Sequence, residues 1–219
     1  MRWCRILLVL MAIPVHAAYA VCPTTSCNLY HGSVTVSSSP EGTAGMFEQS
    51  FFGQSRTDVS WNAPLGDLAV VGSYLSGTAF PSGEVATTDD FEILGASPGV
   101  PVRVIVKLEG SGSNIQSGIA AASFRGTLSD ATGRSVDAGP EPPNVLRLAL
   151  PVDFVTGSPQ RITYRLWGFA TNFPVSAHAR LLFDGLPAGM SIVSCRGFQS
   201  GAVTAARSTT WGRLKQLYR

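Results

Sequence analysis

Two stretches of this chain alternate so regularly that they leave little choice of backbone. In "VPVRVIVKLEG", Val100, Val102, Val104, Val106 and Leu108 share one side, and Arg103, Lys107 and Glu109 share the other. In "NVLRLALPVDFV", Leu146, Leu148, Leu150, Val152 and Phe154 point one way, and Arg147 and Asp153 the other. Successive side chains of an extended strand point to opposite faces, so a beat of two marks a strand buried on one face. A helix, with its period of 3.6, would scatter the same residues around its axis.

The same beat recurs elsewhere. "IAAASFRGTL" turns Ala120, Ala122, Phe124 and Leu128 inward. "SAHARLLFD" turns Ala177, Ala179, Leu181 and Phe183 inward, with His178, Arg180 and Asp184 outward. Weaker strand patterns cover 33–38, 46–52, 66–80, 84–94, 160–170 and 190–195, and Trp61 follows Val59 on a core-facing side. Between them stand "SPEGT", "NAPLGD", "PSGE", "ASPGVP", "GSGSN", "DATGR" and "GLPAG", rich in the Gly, Pro, Asn and Asp that chain reversals need. About ten short strands reversing at short intervals predict an all-β fold. The expected form is a single antiparallel β-sandwich, jelly-roll or Greek-key-like, with a short helical tail at the C-terminus. The stretch "SDATGRSVDAGPEPPN" reads as one long loop within that sandwich.

The N-terminus reads as an export signal. Arg2 and Arg5 precede an unbroken apolar run from Ile6 to Ile13, then Pro14, and the small-x-small pattern of Ala18 and Ala20 places cleavage after Ala20. The run is far shorter than the ~20 residues a membrane-spanning helix needs. Val21 before Cys22 does not suit lipid attachment. The expected organisation is a signal peptide at 1–20, a β-sandwich domain at 21–198, and a basic, partly helical tail at 199–219. The expected location is secreted, periplasmic or cell-surface, with no membrane span after the signal is removed.

Loss of Arg2 and Arg5 brings the 16 Lys and Arg down to the 14 of Asp and Glu. From Arg196 onward every charge is basic, so the body itself is mildly acidic. That argues against nucleic acid as the partner, because phosphate binding needs a basic face.

Three cysteines remain after cleavage, Cys22, Cys27 and Cys195, so one is left over. Cys22 with Cys27 would close the short loop "PTTS". Cys27 with Cys195 would staple the first strand to the last. The local pair is the preferred expectation and the long-range pair the alternative; an unpaired Cys195 would be a small buried apolar residue.

Catalytic and metal signatures are missing. The mature chain has two histidines, His31 and His178, too few for a multi-histidine metal site. It lacks His-Glu-x-x-His and Gly-x-Ser-x-Gly, and "GSGS" lies between strands as a turn. Asp89, Asp90 and Glu92 resemble calcium ligands in composition, but on a strand Asp89 and Asp90 point to opposite faces. No catalytic residue, cofactor or metal is expected. One patch suggests binding. "RITYRLWGFATNFPVSAHARLLFD" reads as a hairpin turning near Phe173 and Pro174. On its outer side Trp167 would lie near Arg180 and Phe169 near His178, beside Arg165. Aromatic rings flanked by cations can stack a sugar or hold an anionic polymer.

"TDDFEILGASPGVPVRVIVKLEGSG" and "ARLLFDGLPAGMSIVSCRGF" resemble secreted bacterial β-sandwich proteins of unknown function, of the kind grouped by their C-terminal sorting anchors. The resemblance implies secretion and the sandwich fold and brings no catalytic residues. This chain lacks the anchor, since Pro140-Glu141-Pro142 stands mid-chain with no apolar span after it. The function expected is an exported, non-enzymatic protein of the cell surface or extracellular matrix. Its alternatives are a carbohydrate-binding module using Arg165, Trp167, Phe169, His178 and Arg180, and a hydrolase with an unrecognised active site, discriminated by whether a Ser or carboxylate pair meets His178.

The closing stretch "STTWGRLKQLYR" puts Trp211, Leu214 and Leu217 on one stripe, with Thr210 as helix cap. It is expected to act as a docking or sorting tag ordered by a partner; the sequence leaves that partner open, with polysaccharide or another surface protein as the options.

Overall fold

The computed structural model describes residues 22–31, 33–76, 80–117 and 120–201. The predicted signal peptide and the helix predicted from Trp211 lie outside the described residues.

Fifteen strands are formed by the described residues: β1 (Thr25–His31), β2 (Val34–Ser38), β3 (Ala44–Phe51), β4 (Ser55–Asn62), β5 (Asp67–Tyr74), β6 (Ser82–Leu94), β7 (Pro101–Gly112), β8 (Ile115–Ser117), β9 (Ala120–Asp130), β10 (Ser135–Ala138), β11 (Val145–Val155), β12 (Gln160–Thr171), β13 (Val175–Asp184), β14 (Ser191–Ser194) and β15 (Gln199–Gly201). They make two antiparallel sheets. Sheet A runs β10-β9-β12-β6-β1-β2, with β14 on β6, β15 on β14 and β8 on β9; sheet B runs β11-β7-β13-β5-β4-β3. Non-consecutive neighbours such as β9-β12-β6 and β7-β13-β5 mark crossovers between strands distant in sequence, and the fold is the predicted antiparallel β-sandwich.

Burial explains the layering. β11 and β13 alternate between buried and exposed along most of their length, and β12 alternates between buried and mostly half-buried residues. The buried sets, among them Phe91, Phe124, Leu128, Leu146, Phe154, Tyr164, Leu166 and Leu181, form one cluster between the sheets. Trp61 is in this core, with its Nε1–H donating to the Gly42 carbonyl at 3.0 Å. Gly45 makes room for its ring, since a Cβ there would lie 2.6 Å from Trp61 Cζ2.

Four expectations need correction. The "SDATGRSVDAGPEPPN" loop contains β10, an edge strand on β9. Thr25–His31 and Ser55–Asn62, not read as strands, are β1 and β4. Residues 160–184 are not a hairpin. β12 pairs with β6 and β9 in sheet A, while β13 pairs with β5 and β7 in sheet B. The connecting Asn172-Phe173-Pro174 is therefore an arch between sheets. Its Asn172 has φ 50°, and Phe173 packs on Ala122, Ala170 and Val175.

The fourth correction concerns the disulfide, which joins Cys22 to Cys195 with a Cα–Cα distance of 5.6 Å. Neither expected pair, Cys22–Cys27 or Cys27–Cys195, is formed. β1 and β14 pair with adjacent segments of β6: Thr25 lies opposite Thr87, and Ser194 opposite Phe91. The end of β14 thus runs toward the beginning of β1, and Cys195 N–H donates to the Asp90 carbonyl between them. Cys27 lies within β1 with its side chain in the core, while Cys22 precedes the strand and bonds Cys195. Cys27 faces the core, fully buried, and burial pushes its thiol pKa up to about 11.

A buried polar network lies under the disulfide. Arg196, 3 % exposed, donates to Thr25 Oγ1 and to the Gly42 carbonyl. Asp89 Oδ1 accepts the backbone N–H of Asp90 and Arg196, while Oδ2 has no hydrogen-bond partner. Burial raises the Asp89 pKa, and hydrogen bonds from Ser194 and the two backbone amides only partly oppose it. Asp89 and Asp90 do point to opposite faces: Asp90 lies outside, gripped by Arg161 at 2.8 and 3.0 Å.

Candidate functional site

On the outer face of sheet A, strand register sets polar and aromatic side chains in transverse rows. One row runs Arg125, Trp167, Glu84, Asn28 and Ser37; the next runs Ser123, Phe169, Ser82, Tyr30 and Thr35. Trp167 and Phe169, two residues apart on β12, therefore lie on the same side. Their rings stack with centroids 4.6 Å apart and planes 21° from parallel. Across β6, about two strand spacings or ~10 Å away, Tyr30 forms the opposite wall. A cleft of about 520 Å³ is lined by Tyr30, Phe80, Ser82, Glu84 and Trp167.

The cleft has a polar floor and apolar walls. Glu84 Oε1 lies 3.5 Å from Arg165 Nη1, so the carboxylate is held and partly neutralised at the floor. Burial raises the Tyr30 phenol pKa, the Glu84 charge adds to that, and Arg165 works against it. The phenol thus stays a protonated donor at neutral pH. At the end of the cleft, Phe80 meets the edge of His31, whose ring stacks on Phe51 and bonds Ser55 Oγ through Nδ1 at 3.0 Å. Stacked rings offer a flat apolar surface, and Glu84, Ser82 and the Tyr30 hydroxyl offer acceptors and donors beside it. That combination suits a sugar ring, with its apolar C–H face and hydroxyl rim.

The predicted patch is divided between the two faces of the sandwich. Arg165, Trp167 and Phe169 come together on sheet A. His178 and Arg180 project from the outer side of sheet B, because β13 belongs to that sheet. Arg180 is held by both oxygens of Asp67, and His178 Nδ1 lies 3.5 Å from Ser111 Oγ, at the limit of a hydrogen bond. Among the described residues no carboxylate is bonded to either histidine, and no group of three or more metal-ligating side chains occurs. Tyr30, Phe80, Ser82 and Glu84 were missed by sequence reasoning. The signal was the alternation in "TSCNLYH", which puts Cys27 and Leu29 inside and Asn28 and Tyr30 outside.

Among the described residues no helix is long and apolar enough to cross a membrane. Compared with protein-family models, with curated proteins and with solved structures, the chain matches none.

Proposed function

We propose that this chain is an exported, non-enzymatic glycan-binding module of the cell surface or extracellular matrix. The reading rests on one observation: the stacked Trp167 and Phe169 rings face Tyr30 across a floor of Glu84 and Ser82. Aromatic side chains left half-buried on an outer sheet face contribute little to the core, so their placement there is explained by a ligand with an apolar face. Export is supported by the disulfide, since such bonds persist in oxidising compartments.

The test is retention of the purified mature chain on cellulose, chitin, xylan and galactomannan. Wild-type protein is expected to be retained by at least one of them. Trp167→Ala is expected to weaken that binding about tenfold, ~1.4 kcal/mol, with an almost unchanged thermal midpoint. Retention by none, or retention indifferent to Trp167→Ala, contradicts the reading.

A further inference from the structure

We propose that the outer face of sheet B is a second glycan site, and that the sandwich cross-links two polysaccharide chains. This rests on the glycan-binding reading of sheet A. The observation is a trough of about 760 Å³ across β11, β7, β13, β5 and β4. Its central row, set by register, runs Arg147, Glu109, Arg180, Asp67 and Asn62. The adjoining row carries Ser111, His178 and Ser60.

Charge within the trough separates fixed groups from available ones. Arg180 is engaged by Asp67 through two hydrogen bonds and is part of the wall. Arg147 and Glu109 are register neighbours, yet neither makes an ion pair among the described residues. The trough therefore offers a free guanidinium donor and a free carboxylate acceptor side by side, with the His178 ring and serine hydroxyls next to them. Charged hydrogen-bonding groups hold neutral partners more firmly than neutral ones do. Asp67 and Arg180 cancel each other, and Arg147 beside Glu109 adds no net charge, so the trough draws neither an anionic nor a cationic polymer. Hydroxyl groups, each both donor and acceptor, satisfy both signs. The ligand class is a neutral polyhydroxylated chain.

The two faces point in opposite directions, separated by two packed sheets about 10 Å apart. A straight run of polymer cannot occupy both. Two sites so placed join separate chains or distant parts of one, and do not add avidity along a single segment.

The experiment uses the full mature chain and soluble galactomannan and hydroxyethyl cellulose as probes, reading turbidity and viscosity for cross-linking and sedimentation for binding. The variants are Trp167→Ala, Arg147→Ala, Glu109→Gln and the Trp167→Ala/Arg147→Ala pair. Thermal midpoints check folding, and ultracentrifugation checks that the protein is monomeric. Wild type is expected to raise turbidity and viscosity. Each single variant is expected to keep sedimenting with polymer, about tenfold more weakly, while the rise returns to baseline, and the double variant to lose at least a further tenfold in binding. If Trp167→Ala alone abolishes binding while Arg147→Ala and Glu109→Gln change nothing, the sheet A reading stands and the second site is overturned. If single variants still cross-link, or only dimeric protein does, bivalency is overturned. If wild type binds neither these probes nor the solid polysaccharides, both readings fall.

Discussion

On the outer face of sheet A, Trp167 lies against Phe169 and faces Tyr30 across Glu84; on that of sheet B, the matching row is Arg147, Glu109, Arg180 and Asp67. Both faces are the outward half of the same alternation, and both cover the same core. The inward half is constrained by packing: Leu166 and Leu181 are fully buried and touch many neighbours. Outward positions escape that constraint, so the faces are free to differ in chemistry while the layers beneath them stay alike. On the proposed function, inward residues carry stability here and outward residues carry specificity. The two should separate under mutation.

The largest effect should fall on both faces at once. Cys22 and Cys195 are 173 residues apart in sequence, and a cross-link of that length is worth about 5 kcal/mol through restriction of the unfolded chain. Cys195→Ser should lower the unfolding free energy toward that amount. Because the effect resides in the unfolded state, probes on sheet A and sheet B should lose structure at one denaturant concentration, as urea titration would show. Separate transitions would mean that the faces are independently stable. Phe91→Ala comes next, at about 3–5 kcal/mol, since Phe91 packs on Phe183 and Phe198 with centroids 5.0 and 5.7 Å away.

Two tryptophans sharpen the contrast. Trp61, 6 % exposed, should cost about 3–5 kcal/mol on replacement by alanine, including its hydrogen bond to Gly42. Trp167→Ala should cost much less stability and weaken glycan binding about tenfold. Equal losses of stability from the two would erase the distinction between inward and outward residues.

The smallest effect is a slope with pH. The folded pKa of Asp89 lies above its unfolded value of 3.8, so its stabilising contribution is full below 3.8 and is lost as pH rises through the folded value. Asp130 behaves oppositely: its pKa is lowered. Burial raises it, but hydrogen bonds from Thr132 and Arg134 outweigh that, so its contribution is present above 3.8 and lost as pH falls through the folded value. Asp89→Asn removes the first dependence and leaves the second. The midpoint of the variant relative to wild type should therefore rise from acid to neutral pH. A flat or falling difference would show that Asp89 is not the group responsible.

The sequence revealed parity well and pairing poorly. Alternation alone told which side of 101–112 and 145–155 would be buried, because burying one face is a local demand on side-chain type. Strand partners are chosen by whole apolar faces, which short-range patterns do not encode. Hence 160–184 read as a hairpin although its two halves line opposite sheets, and Arg165, Trp167 and Phe169 parted from His178 and Arg180. The disulfide escaped for the same reason: Cys22 and Cys195 meet only because β1 and β14 share β6. Tyr30 and Glu84 escaped because their strands carry Thr, Cys, Gly and Asp on the inner side, which blurs the apolar beat.

The central claim is that ligand meets the outer face of sheet A, and indole N–H resonances test it most directly. The Trp61 N–H is buried and bonded to the Gly42 carbonyl, while Trp167 lines the cleft. On titrating the protein with short oligosaccharides of whichever polysaccharide retains it, the Trp167 indole signal should shift progressively, and it should do so equally in the Arg147→Ala variant, whose change lies on the other face. A Trp167 signal that does not move while the protein binds the sugar would contradict the account.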